Sequence, residues 1–433
     1  MVTGDWPRFP LLPGRWAVPL PWLAWPWLYL TLLAASFIFL ASAGRLRVVQ
    51  PTTADFLYLP IALIMTAFLV SVVFSQVPSF SWWAFGRLLG IIGFSLVVAR
   101  IVEDDTVLAG LSIALAVAAL LLAIRVIMWR FVQGSEFPPP FHIPNNAWLG
   151  KNQISWVLNL LAPLLLARFL AARHTLTTLV YGGAWFLAGG AIYLAFSRTG
   201  LVAFPLTTLS LCALNLHYWR RWVALLTVSM GLGVWLIAIS PTPPIQLIAS
   251  LSHPDRIANM VARQHVWRET VRMIADHPLT GIGLGTYDDV IFLQYDAVGY
   301  EDFFRRGMHA HNTHLHVLAE TGAVGFLAWC YLWFTIARFL LRRWRDGDRL
   351  GRLNSGAALC VLLAFFVHSM TDALIAARVH AGLRMNLTLA LLVIYGIRLA
   401  AWPRSGALSM PAAPPTAGGG AASAIIREPS RES

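Results

Sequence analysis

The sequence contains very little charge for its length. Charged side chains make up 12% of the 433 residues and hydrophobic side chains 58%, and the mean hydropathy is +0.66. Because a soluble globular domain carries about 25% charged residues, this composition excludes an ordinary soluble enzyme. Several apolar runs reach the ~20 residues that a helix needs to cross a bilayer. We therefore predict an all-α, polytopic integral membrane protein.

Cysteine is also scarce, and its placement excludes two kinds of site. Cys212, Cys330 and Cys360 lie far apart and inside apolar runs, so neither a disulfide framework nor a cysteine metal site is expected. The N-terminus lacks a short apolar region followed by a small-residue cleavage site. We therefore expect the first span to remain in the mature protein.

Acidic residues are fewer than basic ones, 20 against 32, and the net charge is +12. Such a balance is typical of nucleic-acid-binding proteins and of membrane proteins whose arginines mark cytoplasmic loops. The apolar composition favours the second class, and we expect no nucleic-acid partner. The clearest basic loop, 338–349, is assigned to the cytoplasm, which places the loops 131–152 and 241–312 on the opposite, extracytoplasmic side.

Hydropathy predicts eleven apolar segments. Pro19, Pro21 and Pro26 would divide the first into two short helices, so eleven and twelve transmembrane helices are both admissible. We prefer the division, which puts the N-terminus inside. The segments are 16–43, 56–76, 82–101, 106–130, 153–172, 176–196, 199–217, 221–240, 313–340, 355–376 and 383–402.

These segments divide the chain into four regions. Residues 1–240 are predicted to form N-terminal transmembrane helices, and 241–312 a long outer loop containing an amphipathic helix. Residues 313–402 are predicted to form C-terminal transmembrane helices, and 403–433 a disordered cytoplasmic tail rich in Ala, Gly, Ser and Pro. A loop as long as 241–312 suggests function rather than linkage.

The outer loop contains a predicted helix over 255–276, in which arginines alternate with apolar residues at three- and four-residue steps. Such a helix could lie along the membrane surface. His277-Pro278 ends it, and Gly281, Gly283 and Gly285 follow as a turn.

Arginine supplies the candidate anion-binding groups. Arg198 lies at the outer end of its span, where an intramembrane cation either contacts an anionic partner or extends to the interface. Arg263 and Arg268 lie on the loop helix, and guanidinium groups that converge would stabilise a pyrophosphate leaving group. The alternative for each is a solvated or headgroup-contacting arginine.

Four of the 12 histidines, His309, His311, His314 and His316, fall within eight residues where the loop meets an apolar helix. Imidazole titrates near neutrality, so one of them can act as a general base. The same spacing could bind a metal ion, although no His-Glu-x-x-His pattern is present. A third interpretation is that the four histidines are polar residues that solvate a helix end.

Several motifs together resemble the O-antigen ligase and polymerase superfamily. His311-Asn312, followed by Gly322 and Gly325, is similar to its histidine-asparagine and paired-glycine signature. Three further stretches resemble its other elements in the right order, and the resemblance covers roughly residues 150–330. They are Gly150-Lys151-Asn152, Phe196-Ser197-Arg198-Thr199-Gly200, in which Thr199 stands where glycine or a small residue is common, and Arg263 to Trp267 with Ile274 to Gly285.

The resemblance implies a glycosyltransferase of the Gram-negative inner membrane. An O-antigen ligase transfers polysaccharide from undecaprenyl pyrophosphate to a sugar hydroxyl of the lipid A core, on the periplasmic side. His311 would then be the general base, and Arg198 and Arg263 would stabilise the pyrophosphate, with no metal and no cofactor. Substrate binding would involve Lys151, Asn152, Arg268, Asn312 and Asp372, of which Asp372 would orient His311 or an arginine.

Three other functions fit part of these observations. A polymerase of the same superfamily would use a second lipid-linked glycan as acceptor. A protein O-oligosaccharyltransferase is less expected, since such proteins commonly carry a further soluble region. A transporter of lipid-linked glycans would also have polytopic helices and an intramembrane arginine. It would be expected to show internal repeats and a midplane site, whereas the polar candidates of this chain concentrate in one outer loop.

Overall fold

The computed structural model describes residues 52–132, 151–195, 197–239, 254–295, 309–373 and 380–401. Every regular element in these ranges is helical, which confirms the all-α prediction. The first apolar segment, most of the loop 131–152 and the tail 403–433 lie outside these residues. The division of the first span and the disorder of the tail therefore stay predictions.

We number the α-helices of the described residues in chain order. Short 3-10 turns, Asp55–Leu57 and Leu216–Tyr218, precede α1 and α7. The helices are α1 (Tyr58–Val73), α2 (Pro78–Ile101), α3 (Asp105–Val132), α4 (Lys151–Ala171), α5 (Thr175–Leu194), α6 (Arg198–Leu214), α7 (Trp219–Ile239), α8 (Pro254–Asp276), α9 (Tyr287–Gln294), α10 (Thr313–Asp346), α11 (Arg349–Ser369) and α12 (His380–Ala401).

Seven of these helices are long and apolar enough to cross a membrane: α1 to α5, α10 and α11. The pair α6 and α7 meets at a bend of 96°, and it would add an eighth span if it crosses as one broken helix. The apolar part of α12, Met385–Ala401, is shorter. Each predicted segment from 56–76 onward coincides with one of these helices, so the chain is a multi-pass membrane protein.

Helix α4 lies at the centre of the bundle. Of the residues in its most apolar stretch 83% are buried, the highest share among the seven described spans, and it packs against α5, α6 and α11. Its apolar side chains are buried on all sides, including Trp156, Leu160 and Leu166, as expected for a helix that is hydrophobic all round. This buried helix supports the N-terminal end of α6 and the C-terminal end of α11, where the polar candidates lie.

Helix α8 confirms the predicted helix of the outer loop, but its buried face differs from the expected apolar stripe. Val261 and Val271, two of the apolar residues in the pattern predicted over 255–276, are exposed, whereas Ala262, Val266 and Met273 are buried against protein. The partners are α9 and the start of α10. The face of α8 that is buried against protein therefore lies next to the predicted one. This packing fixes α8 over the start of α10.

Candidate active site at the N-terminal end of helix α10

Backbone hydrogen bonds attach the loop after α8 to a kink in α10. The N–H of Ile282 donates to Ala319 O (3.0 Å), that of Gly283 to Glu320 O (3.0 Å), and that of Ala323 to Pro278 O (2.8 Å). The kink is at Gly322, which has φ 61° and ψ −170°. A Cβ there would lie 2.3 Å from the backbone of Leu279, so only glycine fits. This attachment fixes α8 relative to the start of α10.

The residues just before α10 carry the histidines. Asn312 is the N-cap, and its side-chain oxygen accepts hydrogen bonds from the N–H groups of His314 (2.9 Å) and Leu315 (3.2 Å), as favoured at helix N-termini. His311 has φ 46°, a left-handed conformation that is rare for a non-glycine residue. Trp267 Nε1 donates to Ala310 O (2.6 Å) and holds the turn to α8. Backbone strain of this kind is concentrated at functional sites.

Asp372, three residues beyond α11, meets two of the histidines. Its Oδ1 is 2.9 Å from His309 Nε2 and 3.9 Å from His311 Nδ1. The rings of His309 and His311 also contact each other, with centroids 4.1 Å apart. Thr313 Oγ1 donates to Asp372 O (2.9 Å), so the first turn of α10 fixes the segment that carries this carboxylate.

The Asp372 carboxylate is held ionised by its neighbours. Burial raises the pKa of Asp372, but the hydrogen bond from His309 and the positive charges of His309 and Arg263 outweigh burial, and the pKa falls to about 2. An ionised carboxylate only accepts hydrogen bonds. His309 Nε2–H is therefore the donor in the 2.9 Å contact.

His311 is neutral at physiological pH. Burial is the largest cause that lowers its pKa, and the positive charges of His309 and Arg263 add to it, whereas Asp372 acts in the opposite direction; the pKa is about 3. The side chain is 14% exposed, enough to reach a ligand. A neutral imidazole in this position, just before α10, can accept a proton.

Two arginines complete the cluster. Arg263, on α8, donates through Nη1 to Thr371 O (3.2 Å), and burial lowers its pKa with a further contribution from the charge of Arg198. Arg198 is the exposed first residue of α6, whose N-cap is Ser197. Thr199 Oγ1 lies 2.7 Å from Thr371 Oγ1, which ties the start of α6 to the same segment. Arg263 therefore contacts the segment that carries Asp372, and Arg198 begins the helix that contacts the same segment through Thr199.

Comparison with known proteins shows two similarities. Residues 183–330 match the family described as O-Antigen ligase. The chain is also similar to the exopolysaccharide production protein ExoQ of Rhizobium meliloti, with 23% identity over 329 residues, which covers 72% of each protein. Both similarities support the resemblance to the O-antigen ligase and polymerase superfamily.

The superfamily match includes Arg198, Arg263 and His311, and the structure brings these three predicted residues together. Asp372 lies outside the matched range and joins them from the end of α11. Its direct hydrogen bond is to His309, and its expected role of orienting His311 or an arginine stays a prediction. Carboxylate, imidazole and guanidinium groups thus come from α6, α8, α10 and α11.

The remaining predicted residues have different surroundings. Asn312 caps α10 through its side-chain oxygen. Arg268 is exposed on α8, five residues or about 140° around the helix from Arg263. Asn152 is half-buried at the start of α4, whereas the side chain of Lys151 lies outside the described residues. Their predicted contacts with substrate stay predictions.

The start of α4 nevertheless lies near the arginine cluster. A Cβ added to Gly200 would lie 3.0 Å from Ser155 Cβ, and Asn159 Nδ2 donates to Gly200 O (3.4 Å). Ser155 is one turn beyond Asn152 on the same helix. Asn152 therefore stands close to the N-terminal end of α6, which begins with Arg198.

His309 is a member of the site that motif comparison missed. It has no place in the superfamily's histidine-asparagine signature. Only its position two residues before His311 indicated that it could belong to the same site. Together with His311 and Asp372 it forms a set in which one ligand atom per residue lies within 4.8 Å of the others. Two imidazoles and a carboxylate suit a transition metal such as zinc, so this set would hold one if the enzyme used a metal.

Proposed function

We propose that the protein is an O-antigen ligase of the Gram-negative inner membrane, with its active site facing the periplasm. The donor would be a polysaccharide on undecaprenyl pyrophosphate, and the acceptor a sugar hydroxyl of the lipid A core. The observation that carries this proposal is the convergence of His311 with Arg198, Arg263 and Asp372 at the outer end of α10.

The residues support a direct displacement. His311 would take the proton of the acceptor hydroxyl while its oxygen forms a bond to the anomeric carbon, and the bond from that carbon to the pyrophosphate oxygen would break. The electron pair leaves with the pyrophosphate, whose negative charge Arg198 and Arg263 neutralise. Attack opposite the leaving group inverts the anomeric centre. Because pyrophosphate departs as a stable anion, the reaction needs no protein acid and no metal.

The charge of the donor adjusts the base. In the free protein, Arg263 contributes to the low pKa of His311. A bound pyrophosphate offsets that positive charge and raises the pKa of His311 towards the range in which an imidazole is an effective base. Donor binding would thus prepare the site for proton transfer.

The test is transfer by the purified protein with undecaprenyl-pyrophosphate glycan and core lipid A, with and without EDTA. We expect glycan on core lipid A in both conditions. Glycan that lengthens on the carrier and never reaches core lipid A would refute the ligase proposal. Activity that EDTA abolishes and one added ion restores would refute the metal-free mechanism and assign the ion to His309, His311 and Asp372.

Polymerisation is the second candidate, and the similarity to an exopolysaccharide production protein favours it. The same base and arginines would serve, with the terminal sugar of a second lipid-linked glycan as the acceptor. The assay above distinguishes the two functions, since a polymerase yields longer glycans on the carrier when core lipid A is omitted.

A further inference from the structure

A cavity lies between α1, α2, α10 and α12, and none of His309, His311 and Asp372 lines it. Its volume is about 240 Å³, and most of its walls are apolar, including Ile64, Phe68, Trp333 and Leu389. The cluster contacts the end of α11 through Thr313, whereas this cavity opens on the side of α10 that packs against α1.

The cavity is long and runs along the helices. On α10 its lining residues extend from His316 and Glu320 at the outer end to Ile336. Ile336 is sixteen positions beyond Glu320, which corresponds to about 24 Å along the helix, most of the ~30 Å hydrocarbon thickness of a bilayer. A cavity of this form fits one extended hydrocarbon chain.

The outer end of the cavity is polar. His316 is 5% exposed, its Nε2 lies 3.3 Å from Glu320 Oε1, and its buried Nδ1 has no hydrogen-bond partner within the described residues. Glu320 Oε1 also accepts the backbone N–H of Tyr287 (3.2 Å). A buried polar atom without a partner is destabilising, so a ligand that forms a hydrogen bond with His316 Nδ1 would remove this cost.

A cation lines the same cavity. Arg87 is one of the lining residues, and its guanidinium lies over the ring of Trp83, 4.6 Å from the centroid. Trp83 is one turn nearer the outer end of α2, so the charge is directed outward. Arginine within a span marks a ligand site by default, and guanidinium suits phosphate oxygens.

We propose that this cavity binds a single lipid chain with a phosphate head, the chain along α10 and the phosphate near Arg87 and His316. A polyprenyl phosphate and a bilayer phospholipid share this chemistry. The proposal does not depend on glycan transfer, because none of the residues assigned to transfer lines the cavity.

The test uses the full-length protein in nanodiscs with two photoreactive probes, a diazirine polyprenyl phosphate and a diazirine phosphatidylglycerol. We expect one of them to label peptides that contain Phe68 or Trp333, and the unlabelled lipid to compete. The labelling probe identifies the source of the lipid. Failure of both probes to label these peptides, or crosslinks that place residues 16–43 in the cavity, would overturn the proposal.

Two substitutions examine the chain and the head separately. Ala390→Leu fills the cavity and should reduce labelling roughly tenfold or more, whereas Ala118→Leu, exposed on α3, should not. A polyprenol probe without phosphate should label more weakly than the phosphate, and Arg87→Gln should remove that difference. An equal effect of the two leucine variants, or a phosphate preference that survives Arg87→Gln, would contradict the proposed geometry.

Discussion

At the scale of single residues, the site combines groups whose charges depend on one another. Asp372 holds a negative charge because His309 donates to it, and His311 stays neutral because it is buried beside positive charges. The motifs predicted Arg198, Arg263, His311 and Asp372, since each residue type matches a chemical role. The motifs gave no role to His309, because its role follows from a 2.9 Å contact with a residue 63 positions away.

We expect His311→Ala to lower kcat for ligation by ~10² to 10⁴-fold, the usual contribution of a general base. Arg263→Ala should cost about 10²-fold or more through the lost charge on the leaving group. Arg272→Ala is the matched control, since Arg272 is an exposed arginine of α8 paired with Glu269. Transfer rates of the purified variants measure these effects, and full activity of His311→Ala would rule out this residue as the base.

The pH dependence follows from the pKa of His311, which is lowered to about 3. The base is active when neutral, so lowering the pH reduces activity only as the pH approaches that pKa. We expect kcat/KM to show no loss attributable to His311 between pH 8 and about 5. The decline of kcat should begin at a higher pH, because bound pyrophosphate raises the pKa. A kcat/KM profile that halves near 6.5, the value of a free imidazole, would contradict the assigned burial.

At the scale of elements, helix ends position the functional groups. Ser197 caps α6 beside Arg198, and Asn312 caps α10 beside His311. Sequence patterns place the helices well, because long apolar runs leave few alternatives. They do not show which face of α8 is buried, since Val261 and Ala262 are both apolar and only the protein packed against α8 distinguishes them.

Asn312 offers a test of capping against substrate binding. Asn312→Asp keeps a side-chain oxygen that accepts from His314 and Leu315 N–H, whereas Asn312→Ala removes it at a cost of about 0.5–2 kcal/mol. If Asn312 acts as a cap, the aspartate variant keeps its melting temperature and most of its activity, and the alanine variant loses both. A melting temperature that drops equally in the two variants would contradict the capping role.

The kink at Gly322 should not tolerate a side chain. Gly322→Ala places a Cβ 2.3 Å from the backbone of Leu279, at a residue with φ 61°, and backbone strain of this type costs about 1–3 kcal/mol. We expect a lower melting temperature and reduced transfer. Gly183→Ala is the control, since a Cβ at Gly183 on α5 meets nothing within 4 Å. Equal stability of the two variants would show that the loop attachment is dispensable.

At the scale of the whole molecule, the bundle separates a basic side from the side that carries the site. Arg338, Arg342, Arg343 and Arg345 lie at the far end of α10 from His311. Hydropathy and arginine placement predicted this division, because apolar runs and arginine-rich loops are properties of whole segments. They could not predict that α6, α8 and α11 converge on one turn, which depends on the backbone path after Pro278 and on the left-handed His311.

The positive-inside bias predicts which of these two sides faces the cytoplasm. In a variant without Cys212, Cys330 and Cys360, we expect Ala275→Cys on α8 to react with a membrane-impermeant maleimide added outside inner-membrane spheroplasts. Asp346→Cys, at the end of α10, should react only after permeabilisation. Both positions are exposed, so the difference reports the side of the membrane rather than burial. Labelling of Asp346→Cys from outside, with Ala275→Cys protected, would reverse the orientation and place His311 where no periplasmic acceptor could reach it.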